Sequence, residues 1–491
     1  MAQKPLKEGS PNRIEIQETD ESKNVVATYI ASPADRPDNK GRVDVIIPEN
    51  TNSYARSVLN AFLPAGYPHS VTSDYLGYQI YDSLQAFSSS IAGMLSNRAV
   101  LEGMYPEPHP ALRRIGVGDS HASPTSALLL SVLQESMGRI ATILFAHRLG
   151  TSLEPECKMY RLLADIFNDS AMILDCLSPA LPKPSRVAML ATSSCLRSLC
   201  GVAAGSSKAS LSAHFATQGN LGELNAKDSS QETVISLMGM LAGSLIVSHI
   251  STKWATWTSM IFLLGIHLGT NYLAVRAVSM RTLNRQRANI VFSRCLHDAS
   301  QEFSRKRNSQ TGDISLTIPA PQEVSIEERI FERDGILRYS GAKYGSGYCK
   351  IGVSLQEILA LFDQPSKVPG RPPSPPISDF NKLLEVYKDD DYIMMWDQSP
   401  FREQRFLIAI KEGAGNATLL SAWMHALYHA ESWALNRREG ESLIETLQRT
   451  KLYVEQVQDR FNFFEELQKA GWDIETGALE TKSGTRIKIL R

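Results

Sequence analysis

The chain has 491 residues with 51 basic and 52 acidic side chains, so its formal net charge is −1. This balance gives no global field that would attract nucleic acid, and we expect no nucleic-acid partner. The six cysteines include no CxxC pair, so they predict free thiols in a reducing compartment, neither a metal site nor a secreted disulfide framework.

The first segment, residues 1–22, is predicted to be disordered because it is rich in charged and polar side chains. The first 50 residues resemble neither a secretory signal nor an acid-poor transit peptide. Alternating apolar and polar side chains then predict a short β hairpin with strands over residues 24–31 and 42–47. We expect this hairpin to open a helical core over residues 23–300.

The first long helix is predicted from about residue 72 towards residue 102, after a chain break at residues 62–68. It carries a polar stripe at spacings of four, four and three residues, formed by Asp74, Tyr78, Asp82 and Gln85. The stripe is either a solvated face or a polar lining that faces other helices.

A second polar stripe is predicted on a helix over residues 152–177. Its side chains alternate in sign along one face, and they are Lys158, Arg161, Asp165, Asn168 and Asp169. An exposed amphipathic helix explains this pattern. In a membrane-embedded bundle the same charges would have to pair or line a wet cavity, which makes them candidates for a functional site.

Other segments before residue 228 complete the helical core. One helix is predicted from Pro124 to about residue 147, with a structural ion pair between Glu135 and Arg139. An apolar stretch covers residues 186–207, and small polar residues over 206–228 predict a loop or a broken helix. Broken backbone between apolar helices is typical of transport sites, so Asn225 and Lys227 become site candidates.

Two uncharged segments, residues 233–252 and 254–275, are separated only by Lys253. Each is long enough to cross a hydrocarbon core of about 30 Å as a helix. A capping box formed by Ser229 and Glu232 predicts a helix start at the head of the first segment. Arginines follow the second segment, so if the hairpin spans a membrane that end is expected on the cytosolic or matrix-equivalent side. A soluble bundle with long apolar core helices is the alternative.

Glycines four residues apart occur in three of the apolar stretches. The pairs are Gly201 with Gly205, Gly239 with Gly243, and Gly265 with Gly269. This spacing predicts a flat groove on a helix face, where a second helix can approach closely.

Four motifs stand out in this core. They are Phe62-Leu63-Pro64-Ala65-Gly66-Tyr67-Pro68, Asp82-Ser83-Leu84-Gln85, Gly116-Val117-Gly118 and Arg161-Leu162-Leu163-Ala164-Asp165-Ile166-Phe167-Asn168-Asp169. Their combination resembles the root UVB sensitive (RUS) family over about residues 45–300, and more loosely over the tail. Residues 105–114 look like an insertion relative to that family.

The resemblance implies a eukaryotic, membrane-associated protein of a family without an established biochemical activity. Plant relatives are implicated in light and UV-B responses and in vitamin B6 homeostasis. Their plastid placement is not expected to carry over to this chain, because its first residues do not resemble a transit sequence. An intracellular membrane is therefore expected, with the organelle left open.

The tail is predicted to be a soluble α+β domain over residues 321–491, joined by a polar linker over residues 301–320. Strands are expected over residues 314–318, 336–339, 348–353, 392–396 and 405–410. Helices are expected over residues 354–362, 416–435 and 441–469. The proline-rich residues 365–376 predict an extended loop.

No known catalytic fingerprint is present in the sequence. P-loop, dinucleotide-binding, HExxH, GxSxG and kinase motifs are all missing. His425 and His429 lie four residues apart on a helix, either as a metal pair or, as we prefer, as part of an amphipathic face. We therefore expect no enzyme, no cofactor and no metal.

Taken together, the sequence predicts a mainly α protein, with a multi-helix, membrane-embedded bundle and a C-terminal soluble α+β domain. The expected function is binding or carriage of a small anionic metabolite linked to vitamin B6 homeostasis, with arginine or lysine holding the anion. The candidate ligand-binding residues are Asp74, Asp82, Gln85, Arg161, Asp165, Asn168, Asp169, Asn225, Lys227, Asn271 and Arg276. The alternative is a non-transporting scaffold or adaptor that regulates a partner protein through the C-terminal domain. Deleting residues 310–491 is expected to separate the two.

Overall fold

A computed structural model describes residues 14–19, 25–32, 42–46, 62–104, 124–250, 252–307, 316–339, 345–363, 375–398, 404–435 and 441–490. The first part of the chain is helical. Its helices are α1 (Tyr75–Met104), α2 (Pro124–Leu153), α3 (Cys157–Leu177), α4 (Lys183–Phe215), α5 (Leu221–His249) and α6 (Lys253–Ala277). The predicted insertion at residues 105–114 lies outside the described residues.

A small antiparallel sheet precedes the helices. Its strands are β1 (Ile14–Thr19), β2 (Val25–Ser32) and β3 (Arg42–Ile46). The pairing of β2 with β3 confirms the predicted hairpin. Strand β1 corrects the expected disorder of residues 1–22 for its own six residues, because it pairs with β2 along its length. Its side chains are all exposed, so main-chain hydrogen bonds define it and composition does not reveal it.

Helix α1 lies at the centre of the helical part. It runs parallel to α5: Gln79 donates to Asp228 near the start of α5, and Arg98 donates to the carbonyl oxygens of Val247 and Ile250 at its end. We call the side of the N-termini of α1, α3 and α5 the near end, and the side of the α5–α6 turn the far end. The guanidinium of Arg98 satisfies carbonyls that a helix C-terminus leaves free.

Of the three glycine pairs, only Gly239 and Gly243 lie against another helix. A Cβ atom at Gly239 would lie 2.9 Å from the carbonyl oxygen of Phe87, and one at Gly243 would lie 3.3 Å from the Cα of Ile91. The predicted groove therefore exists on α5, where α1 fills it. The pairs on α4 and α6 meet nothing within 4 Å among the described residues.

The predicted start of the first apolar helix is wrong. Helix α5 begins at Leu221, so Ser229 and Glu232 lie inside it and form no capping box. The predicted loop over residues 206–228 is reduced to residues 216–220. The small polar side chains are accommodated within the helix, because their hydroxyls donate to carbonyls four residues back, as Ser230 does to Ala226 and Thr233 does to Ser229.

Three helices in the described part of the chain are long and apolar enough to cross a membrane, judged by length and composition alone. They are Pro184–Phe215, Leu221–His249 and Lys253–Ala277. Two of these helices correspond to the uncharged segments that the sequence predicts to be long enough to cross a membrane. The third contains the earlier apolar stretch over residues 186–207, which continues to residue 215.

The C-terminal region contains a mixed sheet covered by helices. The strands are β4 (Ile336–Leu337), β5 (Gly347–Ile351), β6 (Tyr392–Gln398), β7 (Gln404–Lys411) and β8 (Arg486–Ile487), in the order β4-β5-β7-β6 with β8 beside the end of β7. The helices are α7 (Arg285–Arg307), α8 (Pro321–Glu327), α9 (Leu355–Leu359), α10 (Phe380–Val386), α11 (Asn416–Leu435), α12 (Leu443–Arg460) and α13 (Phe463–Lys469). The α+β class of this region is confirmed.

Details of the C-terminal region differ from expectation. Residues 316–318 form no strand, and β8 was missed because it has only two residues. The helix predicted over 441–469 is broken at Asn462, whose φ of 45° is left-handed. Residues 365–374 of the predicted proline-rich loop lie outside the described residues.

Helix α7 crosses the boundary expected at residue 300. Its buried residues, which include Val291, Phe292 and Cys295, belong to the core of the C-terminal region. Asn289 accepts a hydrogen bond from the indole of Trp423 on α11 at 2.9 Å. The first seven residues of the expected linker 301–320 are helical. The sequence prediction assigned residues 285–300 to the helical core. The apolar face of α7 packs instead against the C-terminal region.

A buried ion cluster joins the two parts. Glu328, which follows α8, binds Lys158 of α3 at 2.5 Å and Arg287 of α7 at 2.6 Å. Arg276 at the end of α6 donates to the carbonyl oxygens of Glu328 and Ile326. One short segment thus contacts α3, α6 and α7 at the near end.

Candidate functional site

The two predicted polar stripes face each other inside the helical part. Arg161 on α3 binds Asp82 on α1 at 2.5 Å, and the amide of Gln85 donates to Asp165 one turn further along. The helices run side by side, so spacings of three and four residues on both keep the partners in register. Asp82, Gln85 and Asp165 are at most 6% exposed. The polar lining is therefore the correct alternative for these side chains.

Helix α6 supplies the third side of this site. The amide of Asn271 donates to Asp165 and, at 3.2 Å, to the carbonyl oxygen of Arg161. The ring of His267 lies one turn away, with Nδ1 2.7 Å from Asp169 and Nε2 3.5 Å from Asp165. We call the set the central cluster, which consists of Asp82, Gln85, Arg161, Asp165, Asp169, His267 and Asn271.

Asp165 fixes the orientation of both amides in the central cluster. A carboxylate only accepts hydrogen bonds, so Gln85 and Asn271 must each turn their NH₂ group towards it. Their amide oxygens are then left as buried acceptors without a hydrogen-bond partner, as is Oδ2 of Asp169, while Nε of Arg161 is a buried donor without one. An unsatisfied buried polar atom costs about 1–3 kcal/mol. The cluster therefore offers three acceptors and one donor.

The charge of the central cluster is predominantly negative. Asp82, Asp165 and Asp169 face the guanidinium of Arg161 and the imidazole of His267. The guanidinium already binds a carboxylate, so it is not a free anion site. This geometry favours a ligand that donates hydrogen bonds over the anionic ligand expected from the sequence.

Asp74 and Asn168 lie outside the cluster. Asp74 binds His214 of α4 at 3.0 Å and accepts from the backbone N–H of Ser279 at 2.7 Å. It thus ties the start of α1 to α4 and to the segment after α6. Asn168 reaches only Ser89 on α1, at 3.4 Å.

The structure does not bring Asn225, Lys227 or Arg276 to the central cluster. Asn225 is exposed and Lys227 half-buried near the start of α5, because the backbone there is an unbroken helix. Arg276 serves the ion cluster at Glu328. The neighbouring residue Asp228 on α5 is buried, and its carboxylate lies 2.8 Å from the ammonium of Lys208.

His267 is the cluster residue that sequence reasoning missed. It lies four residues before Asn271, on the same face of an uncharged segment. Two polar side chains at this spacing in a candidate span are a signal that could have found it.

His425 and His429 belong to the core of the C-terminal region. Both rings bond to the hydroxyl of Thr450 at 3.0 Å, and His425 also contacts the hydroxyl of Tyr392 at 3.1 Å. Burial lowers the pKa of His425 from 6.5 to about 3. These contacts assign the histidines a packing role.

Comparison with known proteins places the site within a matched region. The family model described as the vitamin B6 photo-protection and homoeostasis domain matches residues 48–299. RUS family member 1 of Dictyostelium discoideum is 36% identical over 319 residues, which are 64% of this chain and 55% of that protein. Protein root UVB sensitive 3 of Arabidopsis thaliana is 36% identical over 266 residues, 54% of this chain and 58% of that protein.

A more distant relative covers more of the chain. Protein root UVB sensitive 2, chloroplastic, of Arabidopsis thaliana is 22% identical over 418 residues, 85% of this chain and 82% of that protein. The chain spans a little over half the length of the two relatives at 36% identity. No solved structure matches.

Proposed function

The chain belongs to the root UVB sensitive family, and from this premise we propose that it is a non-enzymatic membrane protein that binds or carries a small metabolite in the central cluster. The family description connects the matched domain with vitamin B6 homeostasis. We propose the compounds of that group as ligands.

The observation that carries the proposal is the set of unsatisfied atoms in the central cluster. Gln85, Arg161, Asp169 and Asn271 each keep one buried polar atom without a partner, and the four residues come from three helices. A structural network satisfies its buried polar groups. Buried polar atoms without a partner between helices can hydrogen-bond a ligand there, because helix bundles commonly hold ligands between facing helices.

The chemistry of these atoms suits a compound that bears N–H or O–H groups. Vitamin B6 compounds combine a ring nitrogen with hydroxyl groups, and pyridoxamine adds an ammonium group. Their phosphate esters are anionic. To bind the guanidinium of Arg161, a phosphate would have to displace the carboxylate of Asp82. The unphosphorylated amine is therefore the ligand that we propose, with the phosphate ester as the competing case.

Support for membrane embedding comes from helices α5 and α6. Large apolar side chains on their surfaces are exposed, and they include Val234, Leu237, Met238, Leu241, Leu245, Ile261, Phe262, Ile266 and Leu273. Lipid would cover these side chains. Alkaline carbonate extraction of membranes tests this: the chain should stay in the pellet, and release into the supernatant would refute the membrane assignment.

Ligand binding is tested by titration calorimetry on the purified full chain. Pyridoxamine should bind, and Asn271→Ala should weaken binding at least about tenfold, since one lost hydrogen bond to a charged group is worth about 1.5–3 kcal/mol. Asn225→Ala is the matched control and should bind like the wild type. Thermal unfolding of each variant checks the fold.

Other outcomes are equally informative. Tighter binding of pyridoxal 5′-phosphate, lost in Arg161→Lys, would support the anionic ligand. Failure of both compounds to bind, or full binding by Asn271→Ala, would contradict the central cluster as their site.

The adaptor role is a second candidate, and we place its partner surface on helix α2 instead of on the C-terminal domain that the sequence suggested. The exposed surface of α2 carries Leu128, Val132 and Leu133, and the pair Glu135–Arg139 lies on the same side of the helix as the first two, with side chains 65% and 76% exposed. Lipid would disfavour such a pair, whereas a protein surface could match it. Leu133→Arg should then reduce the size of native complexes, with Leu452→Arg on α12 as control. Unchanged complexes would count against the adaptor.

A further inference from the structure

The ring of His267 lies between two carboxylates that are one helical turn apart on α3. Nδ1 is 2.7 Å from Oδ1 of Asp169, and Nε2 is 3.5 Å from Oδ2 of Asp165. The His267 residue is 1% exposed and Asp169 is 3% exposed. Both ring nitrogens therefore face acceptors in a buried site.

The geometry sets the number of protons in this triad. A neutral imidazole has one N–H and one bare nitrogen, and an ionised carboxylate has no proton to donate. The 2.7 Å contact requires a hydrogen between Nδ1 and Asp169. With a neutral ring, the lone pair of Nε2 would then face the carboxylate of Asp165. A second proton between Nε2 of His267 and the carboxylate of Asp165 would make this contact attractive.

The surroundings determine where the second proton resides. Gln85 and Asn271 both donate to Oδ2 of Asp165, the same oxygen that faces Nε2 of His267, so a proton on that oxygen would displace one of the two amides. The geometry therefore favours the second proton on the ring of His267, as an imidazolium between two carboxylates. Asp169 keeps Oδ2 without a partner, so it can accept a further hydrogen bond.

Other ionisable groups face this site from each neighbouring element. Helix α1 contributes Asp82 and Tyr78, α3 contributes Arg161, and the thiol of Cys200 on α4 lies within electrostatic range of Asp165 and Asp169. Glu328, after α8, binds Lys158 and Arg287 instead. With His267 protonated, three carboxylates face two cations, so the cluster still carries a net negative charge.

We propose that the central cluster is a proton-binding site, in which His267 carries a proton that leaves when a positively charged ligand enters. This inference rests on the proposed function for its ligand. The exchange is balanced: Nε2 of the imidazolium releases H⁺ to solvent, the ring stays neutral with Nδ1–H bound to Asp169, and the ammonium of the ligand replaces the lost charge. The free acceptors at Asp169, Gln85 and Asn271 receive its N–H groups.

The proton itself is tested without any ligand. Full-length chain with ¹⁵N-labelled histidine is placed in lipid nanodiscs, and the ring signals of His267 are assigned by their absence in His267→Gln. Both ring nitrogens should carry protons at neutral pH, and one should lose its proton at higher pH. Asp169→Asn should shift that change to lower pH, whereas Asp175→Asn, on the same helix but paired with Arg197, should not. A ring that stays neutral from pH 5 to pH 9 would overturn the proposal.

The exchange is tested with pyridoxamine as the probe. Calorimetry in two buffers of different ionisation enthalpy should show one proton released per bound molecule, and affinity should fall about tenfold per pH unit below the point at which His267 protonates. Any binding that remains in His267→Gln should occur without proton release. Binding by the wild type without proton release would refute the exchange.

The two failures are distinguishable. If pyridoxamine does not bind while the NMR titration shows the proton, the proposed ligand is wrong and the exchange falls with it, but the proton site stands. If the probe binds and the ring is neutral throughout, the proton site is refuted and the binding function stands.

Discussion

At the scale of single residues, the ion pair of Arg161 with Asp82 shows how burial changes what a charge contributes. The side chains are 11% and 8% exposed. Removing one partner leaves the other charge buried, which costs about 3–5 kcal/mol, whereas an exposed pair contributes less than about 1 kcal/mol. Arg161→Ala should therefore lower the free energy of unfolding by about 3–5 kcal/mol in chemical denaturation.

Two comparisons make this prediction specific. Arg139→Ala breaks an exposed pair with Glu135 and should leave the free energy of unfolding close to that of the wild type. The double variant Arg161→Met with Asp82→Leu should recover most of the lost stability but not ligand binding. Equal losses in Arg161→Ala and Arg139→Ala would contradict the buried pair.

A second residue-scale prediction concerns pH. Burial lowers the pKa of His425 to about 3 from 6.5. As the pH falls below 6.5, the unfolded chain therefore takes up a proton at His425 while the folded chain does not. The stability that is present above pH 6.5 is consequently lost as the pH falls from 6.5 to about 3. At pH 5 the loss from this group is about 2 kcal/mol.

The variant His425→Gln removes this proton uptake. Its free energy of unfolding should decrease between pH 7 and pH 5 by about 2 kcal/mol less than that of the wild type, in denaturant titrations at each pH. An identical decrease in both proteins would show that His425 is protonated in the folded state.

At the scale of elements, the packing of α5 on α1 depends on Gly239. The Cβ of alanine there would lie 2.7 Å from the Cβ of Ser90 and 2.9 Å from a carbonyl oxygen, so helix α5 would have to move. Gly239→Ala should destabilise the protein by about 1–3 kcal/mol. Gly265→Ala is the matched control, because its Cβ meets nothing within 4 Å, and it should be neutral or stabilising by up to about 1 kcal/mol in thermal unfolding.

The elements themselves were largely predictable from periodicity. The extents of α1, α3 and α11 follow from runs of apolar side chains at helical spacing, and β6 and β7 follow from their apolar runs. The start of α5 was not predictable, because Ser229 followed by Glu232 has the same pattern inside a helix as at its start. Residue 462 interrupts an apolar periodicity that continues on both sides of it.

The site was predictable only in part, for a physical reason. A polar stripe on one helix looks the same whether it faces water or a second stripe, so the pairing of Asp82 with Arg161 needed the packing of α1 on α3. Asn225 and Lys227 were chosen for a broken backbone that does not exist. His267 lacked any charged neighbour in the sequence and gains its carboxylates from another helix.

At the scale of the whole molecule, the C-terminal region and the helical part depend on each other. Val291, Phe292 and Leu296 of α7 are at most 1% exposed because the C-terminal region covers them. Lys158 and Arg287 share the carboxylate of Glu328. A chain ending at residue 309 would expose these apolar side chains of α7. It would also remove Glu328 and so leave Lys158 and Arg287 without their carboxylate partner.

Deleting residues 310–491 should therefore give an aggregated or protease-sensitive protein, as judged by size-exclusion chromatography and limited proteolysis. Trimming only residues 488–491, which include the exposed Leu490, should leave the protein monodisperse. The large deletion cannot separate a carrier from an adaptor, since both would lose function with the fold. A monodisperse, protease-resistant product of the large deletion would refute this dependence.

The turn at the far end has one further consequence. Trp254 follows Lys253 at the start of α6 and is 85% exposed, whereas Trp396, Trp423 and Trp472 are at most 3% exposed. An indole next to a lysine is typical of the headgroup level of a bilayer. The half-buried Trp257 lies one turn further along α6, so Trp257→Phe is needed to isolate the exposed indole. In that variant, if α6 lies in a bilayer as proposed, brominated acyl chains would quench Trp254 according to its depth, and the buried Trp396, Trp423 and Trp472 would be unaffected.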